Sequence, residues 1–179
     1  MPLFAFEGSS PTVHPTAWIA PTATLVGDVT VEANASVWYG VVLRADFGPV
    51  IIREGANIQD NSVLHGGPEG TEVGPGATVG HLCVVHGATI GAQALIGNGA
   101  TIQDGVSVGP RTLVAAGATV APNTRIDGEL VVLGQPAREQ RPLSTGARGW
   151  VDTNPAAYQE LARRHQASVV PVEVSHGQV

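Results

Sequence analysis

Three histidines, His65, His81 and His86, fall within a stretch of 22 residues. Imidazole is both the commonest metal ligand and the side chain best suited to proton transfer near neutral pH. Three neutral imidazoles with a fourth position open make a catalytic zinc arrangement, whereas a structural zinc fills all four positions. The competing reading is that a histidine at a turn is only a polar surface residue. His14, His165 and His176 have no such neighbours and read as surface residues. Cys83 lies between two of the candidate ligands but occupies a small-residue position of the repeat described next, so it reads as core.

The elements that must position these histidines follow from an internal repeat. Val13, Ile19, Leu25, Val31, Val37 and Leu43 recur every six residues; the spacing slips at Asp46 to Pro49 and again at Gly66 to Glu72, then runs from Ile90 in sixes to Val132. Two residues before most of these positions stands a small residue, such as Ala23, Ala56, Cys83 or Ala94. Residues two apart on a strand share a side, so each hexad presents one small and one branched residue inward and then turns. Glycine often follows the aliphatic residue, as in Val79-Gly80 and Ile96-Gly97, where positive φ would serve a corner. Short parallel strands with a corner every six residues make a solenoid. The pattern is similar to the hexapeptide-repeat family, which implies an all-β, left-handed parallel β-helix with three hexads, or 18 residues, per coil. Six to seven coils are expected in a domain of residues 1–134. Residues 135–179 read as a C-terminal extension with an α-helix over about 155–167, Asn154 as N-cap and Pro155 as first helical residue.

In that frame, the 21 residues from His65 to His86 are one coil plus the three extra residues of the Gly66 to Glu72 loop. Both histidines then take the same angular position on coils ~4.8 Å apart. His81 lies five residues before His86, ~16 Å along an extended chain, too far to share an ion with it in one chain. Either His81 is no ligand, or it completes the site of another subunit, which a cyclic homotrimer would allow.

Three segments, Val37 to Asp46, Gly55 to His65 and Gly80 to Gly87, resemble the γ-class carbonic anhydrase family. The resemblance implies a homotrimer acting on CO2 and bicarbonate as a carbonate dehydratase. In it His65, His81 and His86 would bind zinc or, in some members, iron or cobalt. Gln59 would orient the metal-bound water, Arg44 would pair with Asp60 across the subunit interface, and Asp46, Asn57 and Tyr158 match further cleft positions. Where the most active members carry acidic proton-shuttle residues, this chain has Phe47 and Pro68, with Glu69 and Glu72 nearby as substitutes.

Composition removes other classes. All nine basic residues are Arg, and against fifteen acids they leave a formal charge of −6, so no basic stripe for nucleic acid or anionic lipid is available. Without lysine, Schiff-base chemistry and a phosphate-loop lysine are excluded. One cysteine cannot pair within the chain, and neither a signal segment nor a membrane span is evident; a cytoplasmic protein is expected. Two other functions compete with the anhydrase: acyl-CoA transfer or hydrolysis, for which a lone histidine base suffices without metal, and a catalytically silent trimeric scaffold.

Overall fold

A computed structural model describes residues 2–172, apart from the side chain of Glu139. His176 lies outside the described residues. Short parallel strands wind into a three-faced solenoid of about seven turns with one C-terminal helix, the fold of the hexapeptide-repeat left-handed β-helices. The long strands Thr24–Val31 and Val42–Ile52 turn a corner and join two faces into one twelve-stranded sheet; the third face is an eight-stranded sheet.

The expected inward residues fill the core. Leu25, Leu43, Ile58, Leu64, Ile90, Ile96 and Ile102 are sealed from solvent, with Ala23, Ala56, Ala77 and Cys83 packed beside them. Alternation of large and small residues lets three walls meet along one narrow axis. Burying each aliphatic side chain contributes ~1.5–3 kcal/mol, repeated coil by coil, and this holds the rod together without aromatics.

The glycines after the aliphatic residues serve differently from the sequence expectation. Gly80, Gly91, Gly97 and Gly109 do not have positive φ. A Cβ on Gly97 would stand 2.5 Å from the amide nitrogen of Ala116, and one on Gly109 2.4 Å from that of Gly128, on the next coil. Contact between stacked corners therefore selects glycine there. Left-handed residues occur elsewhere in the corners, at Asn34, Asn61, Leu82 and Asn123 among others.

The C-terminal region departs from expectation in two ways. The extension begins as a strand, Ala137–Pro142, antiparallel to Leu130–Gly134, which closes the end of the solenoid. The helix, α1, spans Thr145–Ser168 and starts ten residues before the expected Pro155. Ser144 is its N-cap, accepting from the Ala147 amide at 3.2 Å. Asn154 donates instead to Thr78 Oγ1 at 3.3 Å, and Pro155 is buried inside the helix. Tertiary contacts override the local signal: Val151 is buried, Arg111 pairs with Asp152 at 2.7 Å, and Arg148 with Glu129 at 3.1 Å. Twenty-four residues at ~1.5 Å each match seven coils at ~4.8 Å, so α1 runs the length of one face, antiparallel to the chain's progress. Near its end, half-buried His165 sits among Trp18, Trp38 and Tyr39, its Nδ1 3.0 Å from the Tyr39 hydroxyl, and pins the helix to the solenoid where a free surface residue was expected.

Candidate functional site

His65 and His86 end the adjacent strands Val63–His65 and Val84–His86, paired in register as expected. Thr71 fixes both ends, its hydroxyl donating to the His65 carbonyl at 2.7 Å and accepting the Gly87 amide at 3.0 Å. His65 Nε2 is 2.8 Å from Asp46 Oδ1, and His86 Nδ1 is 2.7 Å from Asp104 Oδ1. An ionised carboxylate only accepts, so these two nitrogens carry the protons. The opposite nitrogens, Nδ1 of His65 and Nε2 of His86, keep lone pairs, yet they face each other at 3.0 Å. Neutral rings in these tautomers cannot hydrogen-bond across that gap. The contact needs either one cationic ring or a cation between them. Two nitrogens on one tetrahedral zinc stand ~3.3 Å apart, so the pair fits as half of such a site, with carboxylates behind each ring as metal-binding histidines require. Asp46 also accepts from Arg44; its carboxyl is held below the usual range by the His65 contact first and the Arg44 contact next, against the opposing effect of burial.

His81 is elsewhere. It occupies the preceding corner, with its Nδ1 2.8 Å from Asp60 Oδ2 and its amide donating to Asn98 Oδ1 at 3.1 Å. Among the described residues no group of three or more His, Cys, Asp or Glu within the chain can hold an ion. Around His81 lie the remaining expected residues. Gln59 donates to Asn57 at 3.0 Å, and Asn57 donates to the Thr78 hydroxyl at 2.8 Å. The Tyr158 hydroxyl is pushed up by burial and by the Asp60 charge, with a hydrogen bond to Gln59 opposing. The expected site is thus divided into two clusters at successive corners. One has Arg44, Asp46, His65 and His86; the other has Asn57, Gln59, Asp60, His81 and Tyr158.

The His81 cluster opens on a cleft of about 340 Å³ between α1 and the solenoid, whose lining includes Gln59, His81, Leu95, Leu113, Trp150 and Tyr158. The His65–His86 pair lies under a separate hollow of about 360 Å³ walled by Phe47 and Pro68. Phe47 is 69% exposed, its ring 5.9 Å from that of His65.

A family model for the bacterial transferase hexapeptide, six repeats, matches residues 87–122. The carnitine operon protein CaiE of Escherichia coli O81 is 39% identical over 170 residues, 94% of this chain and 87% of that protein. The chain belongs to the hexapeptide-repeat transferase family. A solved hexapeptide transferase family protein of Anaplasma phagocytophilum is similar at 34% identity and a TM-score of 0.88, covering 92% of this chain and 98% of that one. A Bacillus cereus protein to which acetyltransferase activity is ascribed shares 30% identity at a TM-score of 0.90, over 92% and 96% of the two chains. These likenesses establish the hexapeptide family; they do not carry the narrower γ-class carbonic anhydrase resemblance. No described helix is long and apolar enough to cross a membrane.

Within this family member the structure also corrects and extends the candidate set. Glu72, on the strand Thr71–Val73 of the twelve-stranded sheet, is held at 2.8 Å by Arg53, which also binds Glu32 at 2.8 Å; it does not replace a shuttle beside His65. In one chain Arg44 pairs with Asp46 and Asp60 with His81. Asp104, Asn98 and Trp150 were missed. Asp104 lies 18 residues after His86, one full coil, so the period itself was the signal. Trp150 carried no such signal, because it belongs to the unforeseen first turns of α1.

Proposed function

We propose that the chain transfers or hydrolyses the acyl group of an acyl-CoA in the cleft beside His81. The observation that carries this reading is the His81–Asp60 pair lining that cleft, complete within one chain. Asp60 accepts from Nδ1 and leaves Nε2 as the basic nitrogen. That nitrogen takes the proton of an attacking hydroxyl, amine or water as the new bond to the thioester carbonyl carbon forms. The C–S bond then breaks, and the proton passes to the departing sulfur. Tyr158, kept protonated by burial and by Asp60, offers a neutral donor in the same cleft. Asn98 fixes the His81 backbone and so the position of the base.

A second reading, CO2 hydration, is favoured by the facing lone pairs of His65 and His86. In it His65 and His86 of one copy and His81 of another would hold zinc, iron or cobalt in a homotrimer, and exposed Val63, Leu82 and Val84 would supply apolar surface between copies. The ion would lower the pKa of a bound water toward ~7 and so provide a nucleophile at neutral pH. Hydration also requires rapid proton export, which Phe47 and Pro68 do not serve.

Release of free CoA from acyl-CoA, by protein purified without a histidine tag and treated with chelator, tests the order. Metal-independent release that drops ~10²–10⁴-fold in His81→Ala supports the first reading. Release abolished by chelator, or none with water, amine and hydroxyl acceptors alongside measurable CO2 hydration by the zinc-loaded protein, replaces it with the second.

A further inference from the structure

The cleft beside His81 is not uniform along its length. The outward residues of its face, stacked coil on coil, run from Trp18 through Ser36, Asn57 and Thr78 to Leu95, Leu113 and Val131, and the cleft spans the change from Thr78 to Leu95 and Leu113. On the other faces the strands after His86 carry Thr101 and Thr119, or Ser107 and Arg125, at outward positions. An apolar pair has therefore replaced polar residues on the face beneath the first half of α1. The helix does not fill the space: Leu95 and Leu113 stay partly exposed, and both line the open cleft. Across from them stands Trp150, 66% exposed, whereas Trp18 and Trp38 are 8% and 4% exposed. Its neighbour Val151 is buried and anchors the helix, so the large ring of Trp150 is left facing outward by choice of position.

We infer that this apolar half is a subsite for the aliphatic chain of an acyl thioester, with Trp150 as its wall. The inference rests on the acyl-transfer reading for its substrate and adds the class: a medium-chain fatty acyl group, not acetyl. From the coil of His81 to that of Leu113 is two steps, ~10 Å, so a chain with its carbonyl at His81 lays its methylenes over Leu95 and its end against Leu113 and Trp150. The end with Gln59, His81 and Tyr158 suits the carbonyl and the thioester; toward the other end Leu95, Leu113, Ala116 and Trp150 offer an alkyl chain apolar surface. A cleft of this size lies within the range of small-molecule pockets, ~300–1,000 Å³.

Two readouts separate the subsite from the chemistry. Sodium octanoate is titrated against the intact protein while tryptophan emission, whose exposed component comes from Trp150, is recorded; a saturable blue shift is expected. Leu113→Gln keeps the reporter and removes the floor of the subsite, and the shift is expected to vanish; circular dichroism of this variant, expected to match wild type, confirms that the partly exposed site tolerates glutamine. In turnover, octanoyl-CoA is expected to exceed acetyl-CoA in kcat/KM, by up to about fourfold per methylene taken from water, and Trp150→Ala is expected to erase most of that advantage. No shift with octanoate, or an unaltered shift in folded Leu113→Gln, overturns the subsite whatever the kinetics. If octanoate shifts wild type alone while neither thioester is turned over, the subsite stands and the acyl-transfer reading falls.

Discussion

Replacing the two carboxylates behind the histidine pair tests whether the facing lone pairs mark a metal position. Asp46→Asn and Asp104→Asn each remove the negative charge that holds one imidazole, while keeping a side-chain oxygen that can accept its proton. Loss of such a carboxylate weakens metal binding ~10–100-fold. The environments decide where each variant falls in that range. The side chains of His65 and Asp46 are 12% and 19% exposed, so water screens their attraction little. Those of His86 and Asp104 are 36% and 57% exposed and are screened more. Asp46→Asn should therefore lose zinc affinity ~100-fold, about 2.7 kcal/mol, and Asp104→Asn ~10-fold, about 1.4 kcal/mol. Competition against a chromophoric chelator at pH 7.5 reads both directly, with far-UV circular dichroism to show that the solenoid is intact. Wild-type protein that takes up no zinc, or an Asp104→Asn loss equal to that of Asp46→Asn, would refute the assignment of protons and lone pairs to the four ring nitrogens.

Four further outcomes test the fold and its charges. A Cβ at Gly149, on α1, meets nothing within 4 Å, so Gly149→Ala should raise stability by ~0.5–1 kcal/mol in urea unfolding. Gly97→Ala should instead lower it by ~1–3 kcal/mol, because the new methyl abuts the Ala116 backbone at 2.5 Å. Ser144→Ala should cost ~0.5–1 kcal/mol by uncapping α1, read in the same assay. The Glu32 carboxyl is held below its ordinary 4.5, mainly by the Arg53 hydrogen bond, against some burial. Its contribution is therefore complete above that ordinary value and is lost as pH falls through the lowered folded value. Arg53→Met should flatten this part of the acid limb of a stability profile while leaving the region above pH 6 parallel to wild type.

Much of this was legible because one period governs both core and site. The hexads from Ile90 onward are the strands observed, and the 21-residue step from His65 to His86 is a direct strand pairing. The glycine role was not legible, since the space between stacked corners depends on the coil above, not on local conformation. The start of α1 was hidden for a related reason. Asn154-Pro155 is a strong local start signal, but packing of Val151 and the ion pairs of Arg111 and Arg148 belong to residues remote in sequence. The division of the candidate site follows from the corner geometry: residues before a corner gather around His81, and residues after the next strand gather around His65 and His86.

The two functional readings compete for one atom. Asp60 takes the proton-bearing Nδ1 of His81, so only Nε2 is left, and it serves either as general base or as metal ligand. A copy whose His81 Nε2 is bound to zinc cannot accept a proton there. If acyl transfer is the activity, added zinc should therefore inhibit it, with half-inhibition at the zinc concentration that half-fills the site, and chelator should restore it. His65→Ala should relieve that inhibition while keeping the metal-free rate, because His65 belongs to the metal position and not to the His81 cleft. Stimulation by zinc, lost in His65→Ala, would reverse the ranking: His81 would then be a ligand first, and the cleft beside it would admit substrate to a metal-dependent centre between copies.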